Sequence, residues 1–208
     1  QVSGYASAIG IDAFGDYSST LDNSGDVDAD ADAATGDAVA YGASNRSNHL
    51  SYLYNDAPGT IAATAHAAYG VAVAVGAYVV GGDVSTLHND GSITASAKSD
   101  FGSAQAYGAV VEGYSGVGLL ISGGDVDASA VAGIGGYAQA TGDLVVAAVA
   151  SVFNDGNASA TATAGAAGVA IATGLHAEGT NTAINSYGDV SATAKAVGGA
   201  ASATGTYA

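Results

Sequence analysis

Four aspartates occupy alternate positions in the segment NSGDVDADADAATGD, which spans residues 23–37. They are Asp26, Asp28, Asp30 and Asp32, and the residues between them are valine and alanine. On a β-strand, alternate side chains share one face at a spacing of roughly 6.6–7 Å. Two neighbouring carboxylates at that spacing could share a hydrated calcium ion. The same pattern also fits the solvated face of a strand whose other face is Val-Ala-Ala.

A calcium site needs about six to eight oxygen ligands. The sequence has neither the calcium loop that ends in a bidentate Glu nor the glycine-rich nonapeptide calcium repeat. The four aspartates therefore stay calcium candidates, and no other cofactor is predicted. A solvated or edge-protecting strand is the simpler interpretation.

Catalytic chemistry has few candidate residues. Glycosidases hold two carboxyl groups about 5–10 Å apart in a cleft, and the aspartate pairs lie on a face of small side chains without a long inserted loop. None of the four histidines has the HExxH spacing of a metalloprotease; they are His49, His66, His88 and His176. We predict a protein that is not an enzyme, with a polysaccharide-acting β-helix enzyme as an alternative.

The composition of the chain limits the classes of molecule that it can bind. Only three cationic residues stand against 19 acidic ones among 208 residues, a net charge of −16. Binding to a phosphate backbone depends on Lys and Arg, so nucleic acid is excluded as a partner. No run of about 18 apolar residues is present, so no membrane insertion is expected. Hydrophobic residues make up 49% of the chain, which is enough to form a core of small side chains.

A repeat of about 32 residues dominates the sequence. The motif G-x-[VI]-x-A-x-A occurs six times, the fifth copy having Ala158 in the aliphatic slot, and a second motif, G-x-A-x-A-x-G, follows about 11 residues later. Both alternate with period 2, which indicates strands. Three strands per repeat predict an all-β, three-sided parallel β-solenoid with about six rungs of 31–34 residues. We expect it to form a single domain over residues 1–208.

The repeat also predicts rows of equivalent side chains. His66 falls in the same outward row as Asp32 and Lys98, which suggests a charge ladder on the surface. Asparagine at a repeated turn tolerates left-handed angles and can hydrogen-bond to its equivalent one rung away. The inward row of the first face is Val27, Ile61, Ile93, Val126, Ala158 and Val190, followed by an unbroken alanine row. The third face ends in Leu21, Leu53, Leu87, Ile121, Val152 and Ile184, and its turn row is Asn23, Asn55, Asn89, Gly123, Asn154 and Ser186.

The segments NSGDVDADA, NDGSITASA and NDGNASATA, each followed by a segment of the GSAQAYG type, resemble the β-helical passenger regions of bacterial autotransporters and filamentous-haemagglutinin-like adhesins. The resemblance covers nearly the whole chain. It implies a right-handed β-helix that is secreted or exposed on the cell surface and has an adhesive or biofilm-matrix role. The expected location is therefore extracellular.

The outermost rungs suggest assembly. Gly4–Gly10 and Gly199–Gly205 lie on the same face, and unpaired strand edges are templates for further pairing. Head-to-tail stacking of copies would place the strand of Val190 and Ala192 beside the aspartate strand and align Lys195 with Asp32. We predict a structural homopolymer, either a fibre or an adhesin stalk. A fragment of a longer β-helix would have the same ends.

Ligand binding is the other class of function. Outward apolar residues on the second face form a strip that predicts lateral packing or glycan contact; they include Tyr41, Val73, Val75 and Tyr107. Ice binding is a further alternative, although a strict Thr-x-Thr occurs only at residues 161–163. Two glycosylation sequons begin at Asn45 and Asn157.

Overall fold

The computed structural model describes residues 2–208, of which 82% form strands and none forms a helix. There are sixteen strands in this range. Their bounds are β1 Val2–Ser3, β2 Ala6–Gly15, β3 Ser18–Asn23, β4 Asp26–Thr35, β5 Ala38–Ser47, β6 Leu50–Asn55, β7 Thr60–Gly81, β8 Val84–Asn89, β9 Ser92–Ser122, β10 Asp125–Ala132, β11 Tyr137–Asn154, β12 Ala158–Ala166, β13 Val169–Glu178, β14 Asn181–Ser186, β15 Val190–Val197 and β16 Ala200–Tyr207.

The strands stack in parallel on three faces. The first face runs through β1, β4, the starts of β7 and β9, β10, β12 and β15. The second contains β2, β5, the later part of β7, the middle of β9, the start of β11, β13 and β16. The third contains β3, β6, β8, the ends of β9 and β11, and β14. The predicted β-solenoid of about six turns is confirmed.

Small side chains divide the interior into two compartments. Between the first and second faces the core consists of alanine alone, as at Ala63 and Ala74. Toward the third face it contains larger aliphatic side chains such as Leu53 and Ile61. The predicted first-face row from Val27 to Val190 pairs in register through all its members. Alanine lets the first two sheets approach closely, and larger side chains fill the wider side.

The third-face rows differ from prediction at one rung. Leu120, not Ile121, pairs with Leu87, and Ser122, not Gly123, takes the turn position opposite Asn89. Two consecutive glycines precede Asp125, so the turn residue lies one position earlier in the sequence than predicted. A slip of one residue turns a side chain to the opposite face of a strand. Ile121 therefore points outward and Leu120 is buried.

A glycine marks a bend in every full second-face strand. In β7 the inward alanines nearest this glycine, Ala74 and Ala77, are fully buried and three positions apart, so the alternation changes phase at Gly76. A Cβ on Gly76 would lie 2.5 Å from both the backbone oxygen of Gly108 and Cγ2 of Ile93. Only glycine allows this approach between the second and first faces. The bend leaves a concave surface on the outer side.

Candidate functional site

The aspartate strand points outward as predicted. Its four aspartates are exposed, while Val27, Ala29 and Ala31 are buried. Strand β4 pairs with β7 along its length but with β1 only at its last residues, so its other edge lacks a strand partner within residues 2–208. Thr60 Oγ1 donates to Asp26 Oδ1 at 2.7 Å. In this part of the chain no three His, Cys, Asp or Glu side chains form a group able to hold a metal ion.

The predicted charge ladder is present and has one further member. His66 Nδ1 lies 3.4 Å from Asp32 Oδ1, and His66 Nε2 lies 3.2 Å from Asp100 Oδ2. Lys98 Nζ lies 2.9 Å from Asp100 Oδ1. Hydrogen bonds from Lys98 and then from His66 lower the pKa of Asp100. These groups are solvated, so each pair contributes little to stability.

The asparagine ladder at the turn is also observed. Asn23 Nδ2 donates to Asn55 Oδ1 at 2.8 Å, and Asn55 Nδ2 donates to Asn89 Oδ1 at 2.7 Å. Asn89 Nδ2 continues the row by donating to Ser122 Oγ at 3.3 Å. All four side chains are buried. The ladder is therefore a structural feature that joins successive coils.

The four residues predicted for lateral or glycan contact line one groove. Its volume is about 260 Å³, and it follows the concave surface beside the glycine bend. The structure places these residues together with four that the sequence reasoning missed. The lining is Tyr41, Val73, Val75, Tyr78, Tyr107, Val110, Glu112 and Leu144. Strict alternation after Val75 would turn Tyr78 inward, and the phase change at Gly76 turns it outward.

The groove contains three tyrosines and one carboxylate. The ring centroids of Tyr41 and Tyr78 are 5.8 Å apart with the planes tilted by 51°. Tyr78 Oη donates to Glu112 Oε2 at 3.0 Å. Burial raises the pKa of Tyr41 and of Tyr107, and burial followed by the Glu112 charge raises that of Tyr78. The three rings thus stay uncharged well above neutral pH.

One buried acid was not singled out from the sequence. Asp143 is fully buried in a row between Ala109 of β9 and Leu175 of β13. Neither of its carboxylate oxygens has a hydrogen-bond partner. Burial raises the pKa of Asp143 to about 8. The residue directly after each bend glycine points inward. Its position after Gly142 is therefore the sequence feature that would have identified Asp143 as buried.

The two sequons lie in different environments. Asn45 is fully buried, and its Nδ2 donates to the backbone oxygens of Ser19 and Tyr52. Glycosylation at Asn45 is therefore incompatible with the folded coil. Asn157 is exposed and donates to Asp125 Oδ1 at 2.8 Å.

The predicted assembly residues lie in the outermost coils. Gly4 has a φ of 103° and precedes β2, and Gly10 lies within that strand. Gly199 precedes β16, and Gly205 lies within it. Across the first face, the structure places Val190 and Ala192 partly exposed on β15, and Lys195 of the same strand is exposed in the row that begins with Asp32.

The fold and its ladders define the class of protein as a β-solenoid. Comparison with protein-family models, with characterised proteins and with solved structures found no match. Across residues 2–208 there is no helix with the length and apolar character needed to span a membrane.

Proposed function

We propose that this chain is a structural, non-enzymatic β-solenoid that serves as a subunit or segment of an extracellular fibre or adhesin stalk. The observation that carries the proposal is the uninterrupted continuation of the same inward rows from coil to coil. Each coil lengthens the rod by about 4.8 Å without changing its cross-section. A rod built in this way is stiff and can be lengthened by adding coils, and both properties suit a stalk.

The outermost coils support growth by addition of further coils. Val190 and Ala192 of β15 and Ala8 of β2 belong to inward rows and pack against the core, yet they remain only partly buried. A strand laid against either outer coil would bury them and satisfy the open backbone edge. A second copy of this chain supplies such a strand on the second face, where β2 and β16 carry the same alanine row.

The strand count changes the predicted contact between copies. Within residues 2–208 the second face has seven strands, whereas the third face has six and the first has six besides the two-residue β1. Stacking with all strands in place brings β16 of one copy beside β2 of the next. Gly205 then lies opposite Gly10, and Lys195 is two coil steps, about 9.6 Å, from Asp32. The predicted Lys195–Asp32 contact requires β2 or β16 to leave the second face.

The extracellular assignment is supported by the motif resemblance to autotransporter passenger regions. The outward rows also agree with an extracellular location, because they are rich in Asp, Ser and Thr, as at Asp127 and Ser129. A surface with a net charge of −16 favours solubility of an extended rod.

Electron microscopy and sedimentation of the whole chain at increasing concentration test the assembly. We expect unbranched filaments whose population grows with concentration. In the β16–β2 contact, Ile9 and Thr204 occupy one outward row, so Ile9→Lys combined with Thr204→Lys should suppress filaments by charge repulsion. A matched control places lysines at Ser96 and Ser129 on interior coils and should assemble normally. A chain that stays monomeric at every concentration contradicts self-assembly and leaves further coils of one chain as the source of the rod.

A further inference from the structure

We propose that the tyrosine groove on the second face binds a small alkylammonium cation, with its charged head group against the tyrosine rings. This is a binding activity in addition to the structural role, and it uses side chains that the solenoid interior does not need. The groove is defined by Tyr41, Tyr78 and Tyr107 as its aromatic walls and Glu112 as its anionic group.

The topology arranges the three rings around one small residue. Tyr41, Val75 and Tyr107 are consecutive members of a single outward row on β5, β7 and β9. The two tyrosines of this row are therefore about 9.6 Å apart, with a valine between them. Tyr78 stands on the same strand as Val75, beyond the glycine bend. The three tyrosines thus surround Val75, which is only 5% exposed, and a ligand in the groove would contact their rings.

The electrostatics favour a cation. The faces of aromatic rings carry negative potential, and cations within about 6 Å of the ring centroid are attracted to them. Glu112 adds an acidic side chain to the lining and accepts a hydrogen bond from the Tyr78 hydroxyl. Arg46, the one arginine of the chain, lies near Tyr41, and its charge is offset by Asp12 at 2.8 and 3.0 Å.

The lining also discriminates between ligand classes. Apolar side chains also line the groove, among them Val73, Val110 and Leu144. These suit the methyl groups of an alkylated ammonium. A saccharide needs several directional hydrogen bonds, and the Tyr78 hydroxyl already donates its proton to Glu112. The volume of about 260 Å³ admits a head group of this kind together with a short chain.

Calorimetric titration with choline tests the inference, with 3,3-dimethylbutan-1-ol as the neutral compound of the same shape. We expect choline to bind at least about tenfold more tightly than the neutral compound, since cation–π and carboxylate attraction are lost in the latter. Tyr107→Leu and Glu112→Gln should each weaken choline binding by about tenfold. Tyr187→Leu is the matched control, because Tyr187 is 88% exposed and does not line the groove.

Several results would contradict the binding of an alkylammonium cation in this groove. Equal affinity for choline and its neutral isostere, absence of choline binding up to millimolar concentration, or unchanged binding in both Tyr107→Leu and Glu112→Gln would overturn the proposal. So would binding of methyl glucoside, but not choline, at the same residues. Circular dichroism melting of each variant checks that the coils remain folded. Filament formation is measured separately, so the structural proposal and the binding proposal fail independently.

Discussion

At the scale of single residues, Asp143 departs most from the apolar interior. It replaces the alanine that fills the same inward row in the three preceding coils, at Ala43, Ala77 and Ala109. An uncompensated charge in such a place is very costly, so the carboxyl group is held in its neutral form. The coil that contains Asp143 should therefore lose stability as the pH rises above the ordinary pKa of aspartate.

This sensitivity gives a signed prediction of pH dependence. In the unfolded chain the Asp143 carboxyl titrates near its ordinary pKa of about 3.9, whereas in the fold its pKa is raised to about 8. The neutral form is favoured by folding, so its contribution is complete below pH 4 and is lost as the pH rises to about 8. The free energy of unfolding should fall across this window by up to about 1.4 kcal/mol per pH unit, then level off.

Urea denaturation between pH 4 and pH 9 measures this effect against Asp143→Asn. The asparagine variant cannot ionise, so the difference in slope between the two proteins isolates the carboxyl group from the general charge repulsion of the chain. Asp127→Asn, at an exposed position, should keep the slope of the unmodified protein. Parallel profiles for Asp143→Asn and the unmodified protein would contradict the assignment.

The asparagine ladder gives a second prediction at this scale. Asn55 both accepts from Asn23 and donates to Asn89, so Asn55→Ala leaves two buried amides incompletely paired. We expect a loss of about 1–3 kcal/mol in the free energy of unfolding. Asn157→Ala removes an exposed amide and should change it by less than about 0.5 kcal/mol. Equal effects in the two variants would show that the ladder does not stabilise the coils.

At the scale of strands, the alternation of side chains with period 2 is sufficient to predict the fold and one wall of the groove. It located Tyr41, Val75 and Tyr107 because these lie before the bend, where strict alternation holds. It missed Tyr78 because the phase of alternation changes at Gly76, and a phase change depends on contact with another sheet, which local pattern does not encode. The prediction that Ile121 belongs to the inward row was wrong for a similar reason, because either of the two consecutive glycines could be assigned to the turn.

The bend itself can be tested with Gly76→Ala. The added Cβ would meet the backbone oxygen of Gly108 and the side chain of Ile93, so the sheets must separate. Overpacking of this kind typically costs about 1–3 kcal/mol, measured as a lower midpoint in chemical denaturation. Gly25→Ala is a suitable control, because a Cβ there meets nothing within 4 Å. A midpoint unchanged by Gly76→Ala would show that the bend does not need glycine.

At the scale of the whole molecule, the proposed stacking of copies can be tested through the unequal number of strands that residues 2–208 place on the three faces. A shift of seven coil steps keeps every strand in place and pairs β16 with β2, whereas a shift of six steps superimposes these two strands. Seven steps correspond to an axial repeat of about 34 Å, and six to about 29 Å. The six-step stack would bring Lys195 beside Asp32, but only after one second-face strand is displaced.

Fibre diffraction from aligned filaments distinguishes the two arrangements. We expect a strong meridional spacing near 4.8 Å from the stacked coils, together with an axial repeat of about 34 Å. Because Lys195 and Asp32 are then two steps apart, Lys195→Gln should leave both spacings and the yield of filaments unchanged. A repeat of about 29 Å, with filaments lost in Lys195→Gln, would instead show that β2 or β16 is displaced and that the Lys195–Asp32 ion pair joins the copies. Filaments with the 4.8 Å spacing but neither axial repeat would contradict end-to-end stacking of these coils.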